Sequence, residues 1–159
     1  MKIDLETGFS AEAVPRQAAF AVLPALLLAA LVLGCASPGT LPGTSLFVRM
    51  GGMPAISAVV DETIDVVAAH PRARRSFEGI KLPAFKESVA AQFCVLAGGP
   101  CKYEGENMKK AHAGLKITDS EFDLMVSALR AALDRHVGEA EKNEMLRLLA
   151  PMKRDVVGA

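Results

Sequence analysis

The sequence predicts an all-α domain behind an N-terminal leader, and three observations carry that prediction. Apolar residues recur at spacings of three and four through successive segments, Gly and Pro fall between those segments, and no stretch alternates apolar with polar as a half-buried strand does. The chain has 159 residues with 18 basic and 18 acidic side chains, a size that suits one domain. Such neutrality argues against a protein that tracks phosphates along nucleic acid. Without its first 34 residues the chain keeps sixteen basic and fifteen acidic groups on 125 residues, an ordinary soluble composition.

The leader comes first in the chain. Residues 18–33 are about sixteen apolar positions without a charge, short of the roughly 20 that span a bilayer. That length fits a signal peptide better than a permanent anchor. Val32-Leu33-Gly34-Cys35 resembles a bacterial lipoprotein cleavage site, at which Cys35 becomes the lipidated first residue. An ordinary leader or short anchor with an incidental cysteine is the competing reading. Asp4, Glu6 and Glu12 make the front end acidic where a leader is usually basic, which fits a true start downstream of Met1. The expected organisation is a lipoprotein signal over 1–34, a Pro- and Gly-rich tether over 35–44 and a folded domain over 45–158. The expected address is the periplasmic side of a bacterial membrane, with the lipid on Cys35 as the anchor.

In residues 54–69, Ile56, Val59, Val60, Ile64, Val67 and Ala68 share one helix face, and Pro54 suits the first turn. Pro71 disfavours helical geometry at His70 and ends the segment. Residues 83–97 form a second helix, closed by Gly98-Gly99-Pro100. This Gly pair lacks the Lys-Ser/Thr of a phosphate loop and reads as a stop. Residues 108–115 predict a short third helix. Thr118-Asp119-Ser120-Glu121 is a capping box that opens a fourth, whose stripe is Phe122, Met125, Val126, Leu129 and Leu133. A last helix from about residue 139 carries Met145, Leu146, Leu148 and Leu149, and Pro151 kinks or restarts it before Val156-Val157. The total is five or six short helices with one irregular loop over 98–107.

Chemistry has few footholds. His70 and His136 sit at helix ends and read as solvent-facing caps. His112 lies between the apolar Met108 and Leu115, which places an imidazole on or beside a buried stripe. Taken alone, that pattern favours a satisfied core histidine over a metal ligand. No carboxylate pair lies within a helical turn of a catalytic histidine, and no Ser or Cys sits in a nucleophile elbow. Cys94, Cys101 and His112 offer three zinc ligands where a structural site wants four, with no Cys-x-x-Cys pair. The missing Cys-x-x-Cys-His excludes covalent c-type haem attachment through that motif.

An ordered set of motifs nevertheless resembles the group I truncated haemoglobins. It runs through Ser45-Leu46-Phe47, Gly51-Gly52-x-Pro54-Ala55-Ile56 and the Phe77-x-Gly79 turn. It continues with Gly98-Gly99-Pro100-x-x-Tyr103-x-Gly105 and Met108-x-x-Ala111-His112-x-Gly114-Leu115-x-Ile117-Thr118-x-x-x-Phe122. The resemblance implies a two-over-two globin sandwich, one non-covalent haem b and a diatomic gas ligand. It also reverses the reading of His112, whose match is the proximal ligand of a five-coordinate iron. By the same correspondence Phe77 packs on the porphyrin and Phe93 lines the distal side. Met108, Ile117, Phe122, Met125 and Leu129 make proximal and floor contacts, and Tyr103 and Lys86 sit at the propionate edge. Cys94 and Cys101 flank the Gly98-Gly99-Pro100 turn, and an oxidising periplasm permits a bridge across it; two buried reduced thiols are the alternative.

One departure stands out. Many members of the family place a distal Tyr on the first long helix and a Gln on the second, where this chain has Ile64 and Val89, with Phe85 opposite the ligand. None of the three donates a hydrogen bond. The expectation is a reversible gas binder that holds oxygen weakly. Gln92, beside Phe93, and a water entering past Phe85 are the routes by which a polar atom reaches that pocket. Two other classes remain open: a haem enzyme of the nitric oxide dioxygenase or peroxidase type, and a cofactor-free helical interaction lipoprotein.

Overall fold

A computed structural model describes residues 43–159. The leader, Cys35 and nearly all of the tether lie outside the described residues. Ser45 opens helix α1 (Leu46–Arg49) by accepting a hydrogen bond from the Val48 amide. Arg49 then reaches the Thr44 carbonyl at 2.8 Å and the carboxylates of Glu141 and Glu144. Helix α2 (Gly52–Ala69) buries Ile56, Val59, Val60, Thr63, Ile64 and Val67, the face its spacing predicts. It stops at His70, whose backbone turns extended before Pro71. A 3-10 turn over Arg74–Phe77 leads into α3 (Leu82–Leu96).

Helix α3 ends where Gly98 adopts φ +75° and the amides of Gly98 and Gly99 bond back to Val95 and Cys94. A Cβ on Gly99 would lie 2.6 Å from Cδ2 of Phe47, so this position has no room for a side chain. The turn brings the Cys94 and Cys101 Cα atoms to 5.9 Å, and the two sulfurs are bonded as a disulfide.

After the loop come α4 (Met108–Ala111), α5 (Asp119–His136), α6 (Glu139–Leu149) and α7 (Lys153–Val156), with a 3-10 turn over Ala150–Met152 at Pro151. The capping box at Thr118 and Glu121 forms with both of its reciprocal bonds. Helix α4 is shorter than its apolar spacing predicts. It ends at Ala111 with His112 as its C-cap, because Gly114 at φ +79° and Lys116 at φ +49° unwind the segment. Helix α1 and the 3-10 turns are single turns, too short for periodicity to register. Among the described residues there is no strand, only a parallel bridge between Ile117 and Val157.

Helix α2 packs against both α3 and α5. Ile56, Val59 and Val60 meet Ala90 and Cys94 of α3, Ala132 and Leu133 of α5 and Met145 of α6 in one buried cluster. Its lower half opens into a cavity.

Candidate functional site

The cavity, about 300 Å³, lies between α2, the 3-10 turn at Arg74–Phe77, α3, α4, α5 and the C-terminal turns. From α3 it takes Phe85, Val89, Gln92 and Phe93, a set at helical spacing on one face. Ile64 of α2 stands on the same wall. Phe77 meets Phe85 edge to face with ring centroids 5.9 Å apart. Met108, His112, Ile117, Phe122, Met125 and Leu129 also line it, as does Tyr103.

His112 is the chemically distinctive member. Its Nδ1 lies 2.8 Å from the Met108 carbonyl oxygen, one turn back. A carbonyl only accepts, so Nδ1 carries a proton, and in the neutral imidazole the lone pair is then on Nε2. Among the described residues Nε2 has no hydrogen-bond partner. The helix end fixes this arrangement: as C-cap of α4, His112 brings both its backbone amide, at 3.1 Å, and its Nδ1 to the Met108 carbonyl.

Twelve of the thirteen residues that the sequence places around a bound group line this cavity; Lys86 does not. Its ammonium sits 2.8 Å from Asp65 and 3.6 Å from Asp61, in an outer groove between α2 and α3. One residue past Phe85 is a rotation of about 100° around the helix, which turns Lys86 away from the wall and towards the carboxylates of α2. The hydrogen bond to Asp65 raises the lysine pKa above its ordinary value, against the opposing effect of burial. Tyr103 lines the cavity while its hydroxyl donates to the Glu106 carbonyl at 2.8 Å. Gln92 is on the wall, with Nε2 directed at the Met108 sulfur at 3.8 Å. His70 and His136 lie elsewhere: His70 Nδ1 accepts from the Arg72 amide, and His136 faces Glu62 at 3.0 Å.

Several wall residues were not assigned to the site from the sequence. Leu149 comes from the end of α6, Met152 and Val156 from the short turns after it, and Thr63 and Ser76 bring hydroxyls. Thr63 is satisfied by the Val59 carbonyl at 2.7 Å. The Ser76 hydroxyl is shut off from solvent and has no partner among the described residues. A buried hydroxyl facing a cavity without a partner is what a polar atom of an occupant would satisfy. With an unpaired imidazole nitrogen in a lining that is mostly apolar and carries a few polar groups, the residues fit a mostly apolar, metal-bearing group.

Comparison with known proteins agrees with this architecture. A family model described as bacterial-like globin matches residues 45–157. The chain is 31% identical over 104 residues to a group 1 truncated hemoglobin of Tetrahymena thermophila, covering 62% of this chain and 86% of that one. It is 32% identical over 97 residues to the group 1 truncated hemoglobin GlbN of a Nostoc species, covering 61% and 75%. The solved Fe(III) form of the Tetrahymena pyriformis truncated hemoglobin superposes with a TM-score of 0.68 at 26% identity, covering 73% of this chain and 100% of that one. That protein has also been solved with a tyrosine-to-phenylalanine change and with glutamine-to-glutamate changes. The 2/2 hemoglobin of a Synechococcus species, with covalently attached haem, shares the fold at a TM-score of 0.66 and 23% identity, covering 72% and 98%. The helices described above therefore form a truncated two-over-two sandwich, and the chain belongs to the bacterial-like globin family, among its group 1 truncated members.

Proposed function

We propose that this chain binds one haem b non-covalently, with His112 Nε2 as the proximal iron ligand, and holds a diatomic gas reversibly on an apolar distal side. The observation that carries the reading is the His112 imidazole on the cavity wall, its tautomer set by the Met108 carbonyl and its second nitrogen free. When bound, haem supplies the iron at which O2, NO or CO is held. The chain's residues do the rest. Phe77, Phe93, Phe122 and Met125 give the ring apolar surface, and His112, half-buried, brings its imidazole to the cavity wall. Ile64, Phe85 and Val89 exclude water from the distal side and give a held ligand no hydrogen bond. Both described cysteines are joined to each other, which leaves neither thiol for a thioether link to the ring.

The same apolar wall favours reversible binding over nitric oxide dioxygenation or peroxidation, because those reactions need held oxygen to be polarised by a donor. Outside the described residues, Cys35 is the site we propose for lipidation, with the globin domain tethered on the periplasmic side of a bacterial membrane.

Adding hemin to the purified chain tests the central reading. The expected result is a Soret band at one haem per chain that shifts on reduction and again on CO. His112→Ala is expected to lose the haem while keeping most far-ultraviolet helicity, since the core of α2, α3 and α5 does not contain it. No Soret band in the wild type, or wild-type haem stoichiometry in the variant, would overturn the assignment.

A further inference from the structure

The turn that follows His112 is held from outside its own segment by one arginine. Arg75, on the 3-10 turn that also carries Ser76 and Phe77, extends across to α5 and the residues before it. Its Nε and Nη2 donate to the two oxygens of Glu121, both at 2.8 Å, a bidentate pair. Its Nη1 donates to the Leu115 carbonyl at 3.0 Å and its Nη2 to the Lys116 carbonyl at 3.2 Å. Glu121 is itself fixed, because the Thr118 amide and hydroxyl donate to its Oε2 at 2.9 and 2.8 Å.

The segment so gripped is an uncomfortable one. Lys116 sits in the left-handed region at φ +49°, where a residue with a Cβ persists only if its surroundings hold it. Besides Arg75, the C-terminus holds it: the Lys116 amide donates to the Ala159 carbonyl at 3.2 Å, and the Gly158 amide to the Ile117 carbonyl at 2.9 Å. The Leu115 amide in turn donates to the His112 carbonyl at 3.1 Å. A continuous chain of hydrogen bonds therefore runs from the element bearing Phe77 to the backbone of His112.

We infer that Arg75 is a positioning residue for the proximal side: by gripping Leu115 and Lys116 against Glu121, it sets how His112 presents Nε2 to the cavity. This rests on the haem reading above. Arg75 touches neither the proposed ligand nor the ring, so its effect appears in the quality of the iron–histidine bond rather than in haem content. A lysine at this site keeps only part of the grip, because an ammonium is a single point that can pair with Glu121, whereas the guanidinium engages a carboxylate and two carbonyls together.

Two measurements on the full chain test this, with Arg75→Gln, Arg75→Lys and, as a control, the exposed neighbour Arg74→Gln. In the haem-loaded ferrous protein, resonance Raman reads the iron–histidine stretch. The expected result is a shifted or broadened band in Arg75→Gln, a smaller change in Arg75→Lys, a wild-type band in Arg74→Gln, and one haem per chain throughout. In the haem-free protein, amide hydrogen exchange at Leu115, Lys116 and Ile117 is expected to speed up about tenfold or more in Arg75→Gln. An unchanged iron–histidine band with a lowered melting temperature would mean a purely structural clamp and overturn the inference, as would unchanged exchange at those amides. A wild-type chain that takes up no haem would overturn the functional reading and with it the role of Arg75 towards iron. The exchange result would then report separately whether the grip itself exists.

Discussion

Position 64 sets what the cavity can do for a ligand. Ile64 stands on the wall with Val89 and Phe85, and none of these side chains donates a hydrogen bond. Dioxygen gains partial negative charge when held, and a hydrogen bond to a charged partner contributes about 1.5 to 3 kcal/mol. Ile64→Tyr brings a hydroxyl to that wall. Stopped-flow oxygen release from the haem-loaded variant is expected to slow by roughly tenfold to a hundredfold, with CO release changing much less. Slow release already in the wild type, unaltered by the tyrosine, would mean another group supplies the donor, and the unpartnered Ser76 hydroxyl would be the first to replace.

Glu121 is the residue whose charge state matters most for stability. The hydrogen bonds from Arg75 come first, then those from Thr118, and together they hold its carboxyl at about 2, well below 4.5, against the opposing effect of burial. The folded protein thus binds this proton less tightly than the unfolded chain. Its contribution is complete above pH 4.5 and is lost as pH falls from there towards 2. Because Arg75 is half exposed, solvent screening limits the gain to roughly 1 to 2 kcal/mol. Glu121→Gln is expected to lose about that much at pH 7 in urea denaturation and to show a flatter stability profile below pH 4.5. An unchanged acid profile in the variant would assign the acid sensitivity to other carboxylates.

At the scale of elements, the disulfide and the Gly pair act together. Cys94 is fully buried at the end of α3, and its bond to Cys101 fixes the start of the loop that leads through Tyr103 to α4. The two cysteines are seven positions apart, so the closed loop is small and chain entropy gives no more than roughly 2 to 3 kcal/mol. A Cys94→Ser, Cys101→Ser double variant is expected to lose up to that amount, read as a lower urea midpoint with an unchanged slope. Peptide mapping without reductant checks the bridge directly: separate peptides for the two cysteines would mean that it does not form in solution.

For the whole molecule, the proposed address and the globin cavity are tested separately. No helix among the described residues is long and apolar enough to cross a membrane. If Cys35 is lipidated as proposed, the chain partitions into the membrane fraction of a bacterial host, since acyl chains contribute about 0.8 kcal/mol per buried methylene and two or more chains anchor stably. Cys35→Ser is expected to release it or stall its processing, read by fractionation and by mass. A wild-type chain recovered soluble and unacylated would overturn the address and leave the cavity argument untouched.

What the sequence determined by itself is local. The spacing of Ile56 to Val67 set the buried face of α2, Pro71 and Gly98 set helix ends, and Thr118 with Glu121 set the start of α5, because each depends on residues within a turn or two. The family resemblance, not periodicity, singled out Phe85, Val89, Phe93 and His112, and the fold brings all four to one cavity. Tertiary structure decided the rest. Lys86 turns outward because Asp61 and Asp65 wait on another helix. Helix α4 stops before residue 115 because Arg75 and the C-terminal residues hold Leu115 and Lys116 in a non-helical turn. The pairing of Glu121 with Arg75, 46 residues away, leaves no periodic trace. Side-chain patterns record which face of a helix is buried, whereas which distant groups meet across a cavity depends on how the helices pack, and only the folded chain contains that.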